Sequence, residues 1–129
     1  HEEARKQIAD LLQPFNEPTY LHQVIARQSN GNLLQYPDLP QALIDLYRPS
    51  VEEWRAHFHV PLFWQQEGLL QSTRQDVLNT LDLLKKNSFT QHLEVETYTW
   101  NVLPLSLQLP LTESITRELQ WVQRQLEIK

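Results

Sequence analysis

Apolar positions recur along the chain with a period near either 3.6 or 2, and the two periods take turns. Residues 2–15 place Ile8, Leu11, Leu12 and Phe15 at helical spacing with charges on the other side; Pro14 and Asn16-Glu17-Pro18 end that helix. Thr19 to Ala26 is short and rich in strand formers. Ser29-Asn30-Gly31-Asn32 predicts a turn, because Asn-Gly accepts the positive φ of tight turns, and so a small hairpin or excursion at the strand end. Asp38-Leu39-Pro40-Gln41 opens a second helix: Asp38 caps, Gln41 takes the reciprocal position and Pro40 sits in the first turn. Leu39, Leu43, Leu46 and Tyr47 form its inner face and Pro49 stops it.

Trp54 to Phe63 reads as the second strand. Ser72-Thr73-Arg74-Gln75 is another capping box, followed by the stripe Val77, Leu78, Leu81, Leu84. Lys85 and Lys86 suit the last turn of that helix. His92 to Trp100 reads as the third strand, Asn101 to Leu111 as a proline-bearing loop, and Thr112-Glu113 as the start of a last helix with Ile115, Leu119, Val122 and Leu126 inward.

The predicted order is α-β-α-β-α-β-α, and strict alternation argues for parallel strands in an α/β fold. The strands are two-faced. Ala56, Phe58, Val60 and Leu62 alternate with Arg55, His57, His59 and Pro61; Leu93, Val95 and Thr97 alternate with His92, Glu94, Glu96 and Tyr98. A doubly wound sheet is apolar on both faces, so the polar face needs a lumen or the mouth of an active site; an antiparallel sheet with a wet face also fits the alternation, but the intervening helices disfavour it. The expectation is a single domain over 1–129, part of a (β/α)₈ barrel, with about three parallel strands alternating with four helices.

The polar face sets the candidate chemistry. His57 and His59 point the same way, and imidazole serves as metal ligand or as acid and base at neutral pH. The plainer alternative is that one of them lines the barrel and bonds to a carboxylate. Glu94 and Glu96 share a face and repel each other in a low dielectric, so they need a cation, a proton or Arg55. Their plainer alternative is an Arg55–Glu salt bridge between strands. His22 is a ligand or a structural donor. His59 and Glu96, further along their strands, are the expected catalytic pair. Arg55, Tyr98 and Trp100 are the expected substrate contacts, with core packing the alternative for the aromatics.

Composition narrows the partners. With 11 Lys and Arg against 16 Asp and Glu the net charge is −5, which points away from nucleic acid. There is no cysteine, hence no disulfide, thiolate site or cysteine nucleophile. No apolar run approaches the ~18–20 residues of a membrane span, and no signal-peptide pattern opens the chain, so a cytoplasmic place is the expectation. Methionine is absent even at position 1, and the expectation is a piece of a larger protein. Open sheet edges on such a piece predict a homo-oligomer.

Three stretches together, Pro18-Thr19-Tyr20-Leu21-His22-Gln23-Val24, Trp54-Arg55-Ala56-His57-Phe58-His59-Val60-Pro61 and His92 to Trp100, resemble the C-terminal part of the EboE-type metabolite traffic proteins, which are xylose-isomerase-like TIM barrels. Ser114 to Val122 resembles that family's final helix. The resemblance implies a barrel completed by upstream strands and, as in the wider superfamily, a divalent metal (Zn, Mn or Mg) in the full-length protein. His22, His57 or His59, and Glu94 or Glu96 are the ligands it implies. A metal-dependent isomerase or epimerase acting on a small polar, sugar-like metabolite is the first functional expectation. A barrel that binds or delivers a metabolite without turnover, or a structural interaction module, is the alternative.

Overall fold

The computed structural model describes residues 2–96 and 100–127. They fall into two compact units, one up to residue 59 and one from residue 60 onward.

The first unit begins with α1 (Glu2–Leu12), extended by a 3-10 turn over Gln13–Phe15. Its sheet has the order β2-β1-β3, with β1 (Val24–Gln28) antiparallel to both β2 (Leu33–Tyr36) and β3 (Val51–Ala56). The Asn30-Gly31 turn closes the β1–β2 hairpin. The Gln28 carbonyl accepts from Gly31 N–H at 2.9 Å, and Gln28 N–H donates to the Asn32 carbonyl at 2.8 Å. Gly31 supplies φ +84°, as a three-residue hairpin loop with a left-handed last position requires. Register puts Leu34 and Trp54 on either side of Ala26, and Tyr36 and Ala56 on either side of Val24. This row faces the core, where Val24 and Ala26 are fully buried.

The short helix α2 (Leu39–Ile44) joins β2 to β3 and buries Leu39 and Ala42. Asp38 caps it by accepting Leu39 N–H at 2.8 Å. From α1, the Arg5 guanidinium donates to the carbonyls of Leu46 and Val51, tying the helix to both ends of the α2–β3 connection.

The second unit carries a two-residue-per-strand hairpin, β4 (Gln66–Glu67) with β5 (Leu70–Gln71), turned at Gly68 with φ +56°. α3 (Arg74–Asn87) follows and ends at Ser88 in the left-handed region. Two 3-10 turns, Trp100–Val102 and Leu105–Leu107, lead to α4 (Leu111–Leu126). Pro61, Leu81, Leu103 and Trp121 are buried here, together with Ser114 and Glu118.

The parallel barrel segment is thereby overturned: every strand ladder among the described residues is antiparallel. A period of two records only a half-buried strand and is the same for either strand direction. The inference to parallel strands rested on helices acting as crossovers. Between the first two expected strands, however, lies a hairpin, and α2 spans six residues, short of the dozen or so a crossover usually needs. Of the second expected strand, Trp54 to Phe63, only 54–56 is strand, as the end of β3 (Val51–Ala56). Of the third, the described residues form no strand: 92–96 are irregular and a 3-10 turn begins at Trp100, while 97–99 lie outside the described residues. No helix among the described residues is long and apolar enough to cross a membrane.

Candidate functional site

The first unit gathers three of the expected site residues at one end of its sheet. The ladder between β1 and β3 continues past the strand end, where His57 N–H donates to the Gln23 carbonyl at 2.9 Å. This carries His57 and His59 alongside the segment that holds His22. Alternation does place both imidazoles together, with ring centroids 5.1 Å apart. Phe58, between them in sequence, turns to the other side, stacks on Phe15 at 4.4 Å and meets the His22 ring at 5.1 Å.

His22 is largely enclosed, with 12% of its side chain exposed. Its backbone N–H donates to Asp38 Oδ1 at 2.8 Å. Its Nε2 lies 3.7 Å from Glu17 Oε1 and its Nδ1 4.0 Å from Asp38 Oδ1. Burial holds the imidazole below its ordinary value; Glu17 and Asp38 pull the other way, and His59 and His57 add to the lowering. Glu17 is held below the usual carboxylate value. Burial opposes this, but the Thr19 side chain, then the Thr19 and Tyr20 N–H groups, and last His22 outweigh it. The cluster can therefore hold a neutral imidazole between two carboxylates and exchange one proton there.

The polar face of β3 opens outward rather than into a lumen. Arg55 is exposed and its Nε donates to Glu53 Oε1 at 2.9 Å, while Arg27 pairs with Glu53 and Glu52. Glu94 and Glu96 belong to the second unit and are both exposed on irregular chain. Trp100 opens a 3-10 turn, with its Nε1 buried and without a hydrogen-bond partner among the described residues. Tyr98 lies outside the described residues. For the metal centre expected from His22, His57, His59, Glu94 and Glu96, no group of three or more metal-capable side chains is found among the described residues. The reason is the fold. Without three parallel strands there is no shared interior for imidazoles and carboxylates from successive strands.

The second unit buries polar groups that the sequence reading missed. Ser114 and Glu118 stand one turn apart on α4, and Glu118 Oε1 accepts Leu62 N–H at 2.8 Å. Burial raises the Glu118 carboxyl above its ordinary value, partly offset by that N–H. Ser114 Oγ is enclosed without a partner among the described residues. Two guanidinium groups lie over aromatic rings of this unit, Arg117 over Phe63 at 4.2 Å and Arg74 over Trp121 at 5.3 Å. The one sequence signal for this face is Trp121, seven residues from Ser114 and three from Glu118, so that all three share a helical face.

The inward stripe expected on α4 is displaced. Leu111, Ile115, Leu119, Val122 and Leu126 lie about a quarter turn from the buried Ser114, Glu118 and Trp121, at 3.6 residues per turn. Leu111 is 52% exposed and Leu119 46%, while Ile115, Val122 and Leu126 are half-buried.

Comparison of the chain with protein-family models, with curated proteins and with solved structures gives no match.

Proposed function

We propose that this chain is a structural interaction module whose docking element is α4. The observation that carries the reading is the apolar stripe of α4, whose Leu111 and Leu119 are exposed and whose Ile115, Val122 and Leu126 are half-buried. Fully burying a leucine is worth about 1.5–3 kcal/mol, and burying a carboxyl costs free energy. Yet α4 encloses Glu118 and leaves Leu111 and Leu119 about half exposed. A protein partner covering that stripe recovers the missing burial. Helix-in-groove and helix-on-helix recognition use this spacing of apolar anchors. Self-association belongs to the same reading.

The test places a photo-crosslinking side chain on each side of α4, Leu119→p-benzoylphenylalanine and Gln120→p-benzoylphenylalanine, in the cells that make the protein. A discrete protein adduct from position 119 and none from position 120 is expected. No adduct at 119, or equal yields at both positions, overturns the reading.

A further inference from the structure

We infer that the free edge of β2 is a joining surface for a second copy of this chain, paired strand to strand about a two-fold axis through Leu34. The inference rests on the interaction-module reading and names one partner for it.

The hydrogen-bonding phase of the sheet decides which groups are free. Gln28 and Asn32 form a bonded pair at the hairpin end, and the β1–β2 register runs from Arg27 opposite Leu33 to Val24 opposite Tyr36. Bonded and non-bonded pairs alternate in an antiparallel ladder. Leu34 and Tyr36 are therefore bonded to β1, while the N–H and C=O groups of Leu33 and Gln35 point away from it. The other side of β1 obeys the same phase, since His57 N–H bonds Gln23. β2 has no neighbour but β1, so the backbone groups of Leu33 and Gln35 meet no partner among the described residues.

The two edges of the sheet differ in charge. β3 carries Glu52, Glu53 and Arg55, the kind of side chains that deter edge pairing. β2 reads Leu33-Leu34-Gln35-Tyr36 and carries no charge; Leu33 is 59% exposed. A chain of net charge −5 meets its own copy with least repulsion along such an edge.

The edge is also self-complementary. With Leu34 on the axis, Leu33 of one copy stands opposite Gln35 of the other, and each such pair exchanges both of its N–H···O bonds. The two Leu34 residues then form a non-bonded pair, the kind that brings side chains closest, on the face that already holds Ala26 and Trp54. The product is one continuous sheet of order β3-β1-β2-β2-β1-β3. An isologous contact of this kind closes on itself and stops at the dimer.

Sedimentation velocity over about 1–100 µM, the range in which a modest interface becomes populated, should show a monomer giving way to a dimer. Over the same range, amide exchange at Leu33 and Gln35 should slow while that at Leu34 and Tyr36 stays constant. Gln35→Pro deletes an outward N–H and none of the β1 ladder, and Leu33→Lys puts a charge on the edge. Both should remain monomeric with the exchange of Val24 and Ala26 unchanged, whereas Glu52→Lys, on the opposite edge, should still dimerise. A wild-type chain monomeric throughout, or a dimer that survives Gln35→Pro, overturns the inference. A monomer that still gives the position-119 adduct removes edge pairing and leaves the module; an edge dimer with no adduct does the reverse for α4.

Discussion

The two units solve the problem of a polar interior with opposite chemistry. Up to residue 59, a core that β1 (Val24, Ala26) and the short helix α2 (Leu39, Ala42) share encloses a base, His22, beside Glu17 and Asp38. From residue 60 onward, a core built largely from helices encloses an acid, Glu118, with a single backbone donor, Leu62 N–H. Burial favours the uncharged form in both, so it lowers the imidazole and raises the carboxyl. A core shared between sheet and helix can hold its polar group at the rim, where loops bring partners. A helix running through a core carries whatever side chains face inward, and here those include a carboxyl. The two units should therefore answer acid in opposite directions.

The largest effects test whether each core is what holds its unit. Trp121→Ala should cost about 3–5 kcal/mol and Leu39→Ala about 2–5 kcal/mol, from lost transfer energy and the cavity left behind. Amide protection at Leu81 reads the first and at Val24 the second. A loss under about 1 kcal/mol at either site would mean that the buried residue is not a core member in the sense argued.

The next effect is the pH response itself. For Glu118, held above its ordinary value, the stability it confers is complete below the free carboxylate's pKa of about 4.3 and is lost as pH rises through the folded value. For His22, held below its ordinary value, stability is complete above about pH 6.5 and is lost as pH falls through the folded value. Acidification from neutrality should thus weaken the first unit and strengthen the second, read as protection factors at Val24 and Leu81. Glu118→Gln keeps an acceptor for Leu62 N–H and should flatten the response of the second unit. His22→Gln should flatten the first, more weakly because Glu17 and Asp38 already offset part of the burial effect. Parallel responses in the two units would break the comparison.

The smallest effect concerns the hairpin that frees the β2 edge. Gly31→Ala meets no atom within 4 Å, so the added methyl acts only through φ +84°. It should cost the first unit about 1 kcal/mol, measured by denaturant unfolding followed through Trp54.

Much of the local structure was legible along the chain. The turn at Asn30-Gly31, the cap at Asp38 and the stripe of α3 all come from short-range rules, because φ preferences and capping bonds involve neighbours only. The shared side of His57 and His59 was legible for the same reason. The box at Ser72 was less so: α3 starts at Arg74 with Thr73 as a cap that makes no side-chain bond. Strand formation at 92–96 was misread, since alternation creates a strand only when a neighbouring strand supplies the ladder.

By itself, then, the sequence determined where turns, caps and amphipathic segments stand and which side chains lie on one face of each. Tertiary structure alone decided strand direction, the outward placement of the polar side of β3, the enclosure of His22 between Glu17 and Asp38, and the burial of Glu118 in place of the α4 leucines. The division has a physical cause. Periodicity is a property of one segment, whereas direction, register and burial depend on which other segment covers it, and that choice is made by long-range packing that no local window contains.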